Sequence, residues 1–125
     1  MNDRKYSVLI VDDERSHISA LKDMLSEYTI YAATDGQDAI ETVETNLPDI
    51  ILLDILMPDM DGYDVISALK ESEKTKDIPV IIISGLDDKE AEEKALSLGA
   101  ADYIFKPFHP PIVRLRIRNA LKHLQ

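Results

Sequence analysis

Residues 50–54 read Ile-Ile-Leu-Leu-Asp, four consecutive apolar residues that end on a carboxylate. A strand with one exposed face alternates apolar and polar side chains, whereas a strand covered on both faces is apolar throughout. The run therefore predicts a central strand of a parallel sheet. Other short apolar or β-branched runs predict four more strands, which are Tyr6–Val11, Thr29–Ala33, Val80–Ile83 and Tyr103–Phe105.

Between and after these runs, apolar residues recur with the period of an α-helix. Leu21 and Leu25 belong to such a stripe before the second run, and Val65 and Leu69 to another before the fourth. Strands that alternate with helices imply right-handed crossovers and a parallel sheet with helices on both faces. The sequence predicts a three-layer, doubly wound α/β domain over residues 1–125, with no second domain.

The composition narrows the class of protein. The 125 residues include 24 Asp and Glu against 14 Lys and Arg, a formal net charge of −10. This charge argues against direct nucleic-acid binding, which relies on clustered cations. The chain has no Cys, which excludes disulfides and thiolate chemistry and fits the cytoplasm. Its apolar runs are too short for a membrane span or a signal peptide, so we expect no membrane contact.

Polar residues follow four of the predicted strands. Asp12 and Asp13 follow the first, Asp54 the third, Ser84 the fourth and Lys106 the fifth. Singly, they are typical of helix caps, turns and exposed surfaces. In a doubly wound sheet, however, ligands bind at the edge where the strands' carboxyl ends meet. Acids gathered there repel one another unless a cation or a proton compensates them, so their convergence favours a functional site.

These residue types favour phosphoryl chemistry on a metal site. Clustered oxygen ligands without His or Cys suit a hard cation, Mg²⁺ first and Mn²⁺ as the alternative. A carboxylate can attack phosphorus while the metal and an ammonium neutralise the phosphoryl oxygens and a hydroxyl donates a hydrogen bond. Asp54, Lys106 and Ser84 are the carboxylate, ammonium and hydroxyl available at this edge.

Five motifs, in this order, resemble the receiver domain of two-component response regulators. They are Val11-Asp12-Asp13, Ile51-Leu52-Leu53-Asp54, Met57-Pro58-Asp59-Met60-Asp61-Gly62, Ser84, and Tyr103-Ile104-Phe105-Lys106-Pro107-Phe108. The resemblance covers essentially the whole chain and implies a flavodoxin-like (βα)5 fold with strand order 2-1-3-4-5. It also implies a phosphoacceptor switch, not an enzyme, that loses its phosphoryl group only by slow self-dephosphorylation.

The resemblance implies a set of site residues for the phosphoryl group and its metal ion. Asp54 is the phosphoacceptor. Asp13 and Asp54 bind Mg²⁺ through their carboxylates, Asp12 acts largely through a metal-bound water, and the backbone carbonyl of Leu56 is a further ligand.

The resemblance implies a second set of residues that respond to phosphorylation. Lys106 contacts the phosphoryl group and pairs with Asp54 beforehand, and the Lys106–Pro107 peptide bond is cis. Ser84 turns towards the phosphoryl oxygen, and Tyr103 changes rotamer in concert. We expect the surface of the fourth helix, fifth strand and fifth helix to change partners in response.

The implied partners are a sensor histidine kinase, which supplies the phosphoryl group, and an output domain or downstream protein. Residues 105–113 and the Arg-rich last helix resemble receivers fused to diguanylate cyclase or cyclic-di-nucleotide phosphodiesterase outputs, which predicts a cyclic-di-GMP-related output. Charged residues of the last two helices either balance each other internally or form a partner surface, including that of a phosphorylation-dependent homodimer. The acids are Asp87, Asp88, Glu90, Glu92 and Glu93, and the bases are Arg114, Arg116, Arg118 and Lys122.

Two other functions remain as alternatives at this point. An Mg²⁺-dependent phosphohydrolase would use Asp54 as its nucleophile, but it usually needs a second acid two residues later, where this chain has Leu56. A flavodoxin-type binder needs a Gly- or Ser/Thr-rich loop after the first strand to hold a phosphate. The chain has Asp12-Asp13-Glu14 there, which repels an anion in the absence of metal.

Overall fold

The computed structural model describes residues 5–86 and 89–122, and this part of the chain alternates five strands with five helices. The strands are β1 (Ser7–Val11), β2 (Thr29–Ala33), β3 (Ile50–Leu53), β4 (Val80–Ser84) and β5 (Asp102–Phe105). The helices are α1 (Arg15–Met24), α2 (Gly36–Asn46), α3 (Gly62–Glu71), α4 (Lys89–Ser97) and α5 (Pro110–Lys122). Each predicted strand is confirmed to within one residue at either end.

The strands form one parallel sheet in the order β2-β1-β3-β4-β5, which confirms the predicted doubly wound topology. β1, β3 and β4 lie inside the sheet. The run quoted first, Ile50–Leu53, is β3, and all four of its residues are buried. Its lack of polar alternation therefore reflects helices on both sides of the sheet.

The two faces of the sheet bury two separate apolar cores. Alternate strand residues point to opposite faces, so Leu9 and Ile51 pack with α2, α3 and α4, whereas Val8 and Ile50 pack with α1 and α5. Two helices begin at capping aspartates. Asp35 accepts the Asp38 N–H, and Asp61 forms a capping box with Asp64. Among the described residues, no helix is both long enough and apolar enough to cross a bilayer.

Candidate functional site

The predicted site residues lie at the carboxyl edge of the sheet. β1, β3, β4 and β5 are consecutive neighbours, and the chain leaves each of them at the same edge. Asp12 and Asp54 therefore start adjacent loops, as the register that pairs Val11 with Leu53 shows. Ser84 ends β4, and the Lys106 N–H donates to its carbonyl at 2.8 Å. The topology thus gathers acids, a hydroxyl and an ammonium from four separate segments.

Three carboxylates form a cluster at this edge. Asp12, Asp13 and Asp54 each offer an oxygen, and these oxygens lie within 4.8 Å of one another. Asp12 and Asp54 are buried and Asp13 is exposed. Oxygen donors at this separation suit a hard divalent cation, which keeps several waters and needs only one or two protein carboxylates.

Backbone N–H groups orient the two buried carboxylates. The Glu14 N–H donates to Asp12 Oδ1 at 3.0 Å, and the Leu56 N–H donates to Asp54 Oδ1 at 3.2 Å. Each bond spans two residues, the pattern of an Asx-turn. One oxygen of each buried carboxylate is therefore held by the backbone of its own loop. The ligand role of the Leu56 carbonyl stays a prediction.

Lys106 lies between the two buried acids. Its Nζ is 3.0 Å from Asp12 Oδ2 and 3.3 Å from Asp54 Oδ2, so the ammonium pairs with Asp12 as well as with Asp54. Burial alone lowers the pKa of Lys106, but the hydrogen bond to Asp12 and the charge of Asp54 outweigh it and raise that pKa. The peptide bond that follows, Lys106–Pro107, is cis.

Asp54 is an acid whose negative charge is only partly compensated. Burial raises its pKa above the ordinary value of 3.8, Lys106 lowers it, and the neighbouring charge of Asp12 raises it. Burial has the largest influence, so the pKa of Asp54 is raised overall. A buried carboxylate that is short of positive charge gains from an added cation, and this chemistry fits a metal ion at the cluster.

His17, in the first turn of α1, also reaches the cluster, and sequence reasoning missed it. Its Nδ1 lies 3.0 Å from Asp12 Oδ2 and 3.1 Å from Lys106 Nζ, and its Nε2 lies 3.1 Å from Glu14 Oε2. A signal was present in the sequence. The helix that starts just after Asp12 and Asp13 has His17 as its third residue, and a side chain at this position lies near the N-cap residue, Glu14. A lone histidine in a helical stretch does not by itself indicate a site.

One residue of the loop after β4, Leu86, connects Ser84 with Tyr103. The Leu86 N–H donates to Ser84 Oγ at 3.1 Å, and Tyr103 Oη donates to the Leu86 carbonyl at 2.6 Å. Ser84 and Tyr103 are both buried, and the Tyr103 ring lies 5.1 Å from the half-exposed Phe105 ring. The inward rotamer of Tyr103 is thus held by the same residue that engages the Ser84 hydroxyl.

Apolar side chains line a cavity beside Asp13, and two glycines lie at the start of α3 and in the loop after β4. Leu56 is 54% exposed and, with Leu86, lines an open cavity of about 400 Å³. A Cβ at Gly62 would lie 2.6 Å from the Asp54 carbonyl oxygen, so this position requires glycine for space. A Cβ at Gly85 would meet no described heavy atom within 4 Å.

The charged face of α4, β5 and α5 is partly engaged within the chain. Arg114 binds Glu27 at 2.6 Å and the Met24 carbonyl at 2.8 Å, so this arginine links α5 to the end of α1. Arg116 pairs with Asp102 at 3.2 Å. Internal charge balance therefore accounts for two of the four predicted bases. The predicted acids Asp87 and Asp88 lie outside the described residues.

Comparison with known proteins extends these observations. The family profile of the response regulator receiver domain matches residues 8–118. The chain is 39% identical over 118 residues to a "Probable cyclic di-GMP phosphodiesterase" of Vibrio cholerae serotype O1, a match that covers 94% of this chain and 27% of that protein. It is 41% identical over 120 residues to the "Probable transcriptional regulator ycf27" of Guillardia theta, covering 94% and 46% respectively.

A solved structure agrees with the sequence matches. The receiver domain of the Francisella response regulator 1452 is 30% identical and superposes with a TM-score of 0.89, over 97% of this chain and all of that one. The chain spans between about a quarter and a half of the length of the two curated relatives.

Proposed function

Since this chain belongs to the response regulator receiver domain family, we propose that residues 1–125 form one receiver domain that accepts a phosphoryl group on Asp54. The family acts as a phosphoacceptor switch and not as a true enzyme, so the predicted switch is confirmed at the level of the family and the phosphohydrolase alternative is set aside. The donor we propose is a sensor histidine kinase.

The contact between Lys106 and Asp54 carries the proposal. A buried carboxylate 3.3 Å from an ammonium has an oxygen available as nucleophile and a cation beside the position where a phosphoryl oxygen would lie. An Asp54 oxygen forms the new bond to phosphorus as the bond to the donor's nitrogen or oxygen breaks, and the leaving group keeps that electron pair. Lys106 then neutralises a phosphoryl oxygen and Ser84 donates a hydrogen bond to another.

Asp12, Asp13 and Asp54 would hold the metal ion, with the Leu56 carbonyl as a further ligand. Mg²⁺, or Mn²⁺ in its place, supplies positive charge that balances the carboxylates and the developing charge on the phosphoryl oxygens. Before the ion binds, three carboxylates face one ammonium, and this imbalance supports the assignment.

The switch itself follows from the link through Leu86. If the Ser84 hydroxyl turns towards a phosphoryl oxygen, it breaks its hydrogen bond with the Leu86 N–H. The carbonyl of the same residue, Leu86, accepts the hydrogen bond from Tyr103. The state of Asp54 is thereby coupled to the surface of α4, β5 and α5, where Phe105 and Ile112 are exposed. This surface would contact an output domain, a downstream protein or a second copy of the chain when Asp54 is phosphorylated.

The identity of the output is a finer proposal. One relative carries the name of a cyclic di-GMP phosphodiesterase and another that of a transcriptional regulator. We favour the cyclic-di-GMP-related output on the resemblance of residues 105–113. The chain itself would contact neither nucleic acid nor membrane, given its net charge of −10, and a cytoplasmic location stays a prediction.

The experiment is incubation with acetyl phosphate, with Mg²⁺ or with chelator, read by intact mass. We expect one phosphoryl adduct that requires Mg²⁺ and is absent from the Asp54→Asn variant. Asp59→Asn is the matched control. Asp59 is an exposed acid in the same loop between β3 and α3, with a φ of 67°, a conformation that Asn tolerates, so this variant should label like the wild type. An undiminished adduct on Asp54→Asn would overturn the proposal.

A further inference from the structure

The ammonium of Lys106 has three acceptors among the described residues, and one of them is not a carboxylate. Its Nζ lies 3.0 Å from Asp12 Oδ2, 3.1 Å from His17 Nδ1 and 3.3 Å from Asp54 Oδ2. A lysine ammonium has three N–H donors and no acceptor. One donor for each neighbour satisfies the group completely, provided that His17 Nδ1 accepts.

The second ring nitrogen determines whether His17 Nδ1 can accept. Nε2 lies 3.1 Å from Glu14 Oε2, and a carboxylate at this distance favours a proton on Nε2. Nδ1 of the neutral ring then carries a lone pair directed at Lys106. In this tautomer Nδ1 and Asp12 Oδ2, which lie 3.0 Å apart, both accept from the Lys106 ammonium and do not hydrogen-bond to each other.

The opposite tautomer fits the contacts less well. With a proton on Nδ1, His17 would donate to Asp12 but turn an N–H towards a cation 3.1 Å away. The Nε2 lone pair would at the same time face the Glu14 carboxylate. Both of these contacts are repulsive, whereas the Nε2–H tautomer turns both into hydrogen bonds. Of the two neutral tautomers, the Nε2–H form makes two hydrogen bonds and leaves one acceptor–acceptor contact, with Asp12, whereas the Nδ1–H form makes one hydrogen bond and leaves two repulsive contacts.

We propose that His17 is a positioning residue that holds Lys106 for phosphoryl transfer, with Glu14 fixing its tautomer. The inference rests on the proposed function and adds a residue from α1 to that site. If Asp12 and Asp54 turn their oxygens towards a metal ion or a phosphoryl group, His17 Nδ1 remains as an anchor on a rigid helix. Lys106 then needs no rearrangement to reach the phosphoryl oxygen.

Packing does not explain the position of His17. Its side chain is 33% exposed and belongs to neither apolar core. Its described polar contacts all lead to the site or to Glu14, two residues after Asp12. A substitution at position 17 can therefore alter Lys106 while it leaves the fold intact.

The test compares two variants of similar shape. Asn places a side-chain oxygen near the position of Nδ1, whereas Leu has the same branching and no acceptor. We expect His17→Leu to slow labelling by acetyl phosphate about 10-fold at a fixed Mg²⁺ concentration, the effect of one hydrogen bond to a charged group. His17→Asn should stay within about twofold of the wild type by the same reasoning. Equal rates for the two variants would overturn the proposal.

A second readout does not depend on phosphorylation. The ¹⁵N resonances of the His17 ring distinguish an unprotonated Nδ1 from a protonated one, and we expect unprotonated Nδ1 with protonated Nε2. A proton on Nδ1, whether as the other tautomer or as imidazolium, contradicts the proposal at any labelling rate. A wild-type chain that takes no label contradicts the proposed function instead, and the nitrogen spectrum then decides the role of His17.

Discussion

Two half-buried lysines lie at opposite edges of the sheet and hold their ammonium groups in different ways. At the amino edge, Lys70 donates to the backbone carbonyls of Lys76 and Ile78, at 2.9 and 3.2 Å. At the carboxyl edge, Lys106 donates to the carboxylates of Asp12 and Asp54. The neutral carbonyls that bind Lys70 close the loop between α3 and β4. The carboxylates that bind Lys106 form a site whose electrostatics change when a charged ligand binds.

The pKa values of the two lysines shift in opposite directions. Burial lowers the pKa of Lys70, with Asp77 opposing it. Burial acts in the same sense on Lys106, but Asp12 and Asp54 reverse the result and raise the pKa. Lys70 and Lys106 are thus buried to a similar extent, but the pKa of Lys70 is lowered and that of Lys106 is raised. The difference lies in the acceptors that each loop supplies.

Removal of each ammonium should give the largest contrast between the edges. Lys106→Met takes away a cation beside the attacked phosphorus, and we expect labelling by acetyl phosphate to slow by about 100-fold. Lys70→Met should change the rate less than about twofold, because the Lys70 ammonium donates to carbonyls at the edge distant from the site. The measurement is the initial labelling rate by intact mass. Equal losses in the two variants would remove the distinction between the edges.

Water access should give the next largest contrast. The adduct hydrolyses when water attacks phosphorus in line, and a polar side chain at position 56 could orient that water, whereas Leu56 cannot. Leu86 adds a second apolar group on the same cavity. We therefore expect a long-lived adduct, and Leu56→Asn should shorten its lifetime about 10-fold, the effect of one hydrogen bond of roughly 1.4 kcal/mol.

The control for this change is the same substitution at the other edge. Leu47 is 45% exposed and has a φ of 45°, a conformation that Asn accepts more readily than Leu. Leu47→Asn should leave the adduct lifetime unchanged. Decay of the wild-type adduct as fast as that of Leu56→Asn would refute the argument from water access and leave the assignment of Asp54 intact.

Stability in metal-free buffer should distinguish the acids of the two edges. The raised pKa of Asp54 means that its contribution to stability is present below its ordinary value of 3.8 and is lost as the pH rises through the folded-state value. Asn imitates the neutral acid, so Asp54→Asn should raise the free energy of unfolding by about 1 kcal/mol at neutral pH. The gain should disappear towards pH 3 in denaturant titrations.

Asp49 provides the comparison at the amino edge. Its Oδ2 accepts the Ser7 N–H at 2.8 Å, and this bond closes the loop before β3. Asp49→Asn should therefore bring no gain in stability at neutral pH. A gain of similar size in both variants would mean that the overall net charge of −10, and not the site, causes the effect.

Alkaline titration should give the smallest contrast, and the two lysines should have opposite slopes. The stabilisation by Lys106 is complete below pH 10.5 and is lost as the pH rises through its higher folded-state pKa. The lowered pKa of Lys70 disfavours the folded state at neutral pH, and this penalty fades as the pH approaches 10.5. Unfolding free energies of the two Met variants relative to wild type test this, and parallel slopes would contradict it.

Much of the fold could be predicted because it depends on features that are local in sequence. The unbroken run Ile50–Leu53 required a sheet covered on both faces, and the polar residues after each strand had to meet at one edge. The strand order and the pairing of Lys106 with Asp54 came from the family resemblance. Those expectations depended on motifs, and the structure agrees with them.

Other contacts depend on how helices pack, which no local pattern encodes. Arg114 is 87 residues from Glu27 in sequence, and only the packing of α5 beside α1 brings them to 2.6 Å. The basic stripe left internal charge balance and a partner surface as alternatives, and for Arg114 the structure has an internal link. His17 reaches Lys106 across 89 residues, for the same reason.

The central claim is that the phosphoryl group resides on Asp54, at the charged edge. Borohydride reduces an aspartyl phosphate to homoserine, and peptide sequencing by tandem mass spectrometry then locates the modified residue. After treatment with acetyl phosphate and Mg²⁺, we expect homoserine at position 54 alone, and none when the metal is chelated. Homoserine at Asp12, Asp13 or Asp59 with an unmodified Asp54 would contradict the account.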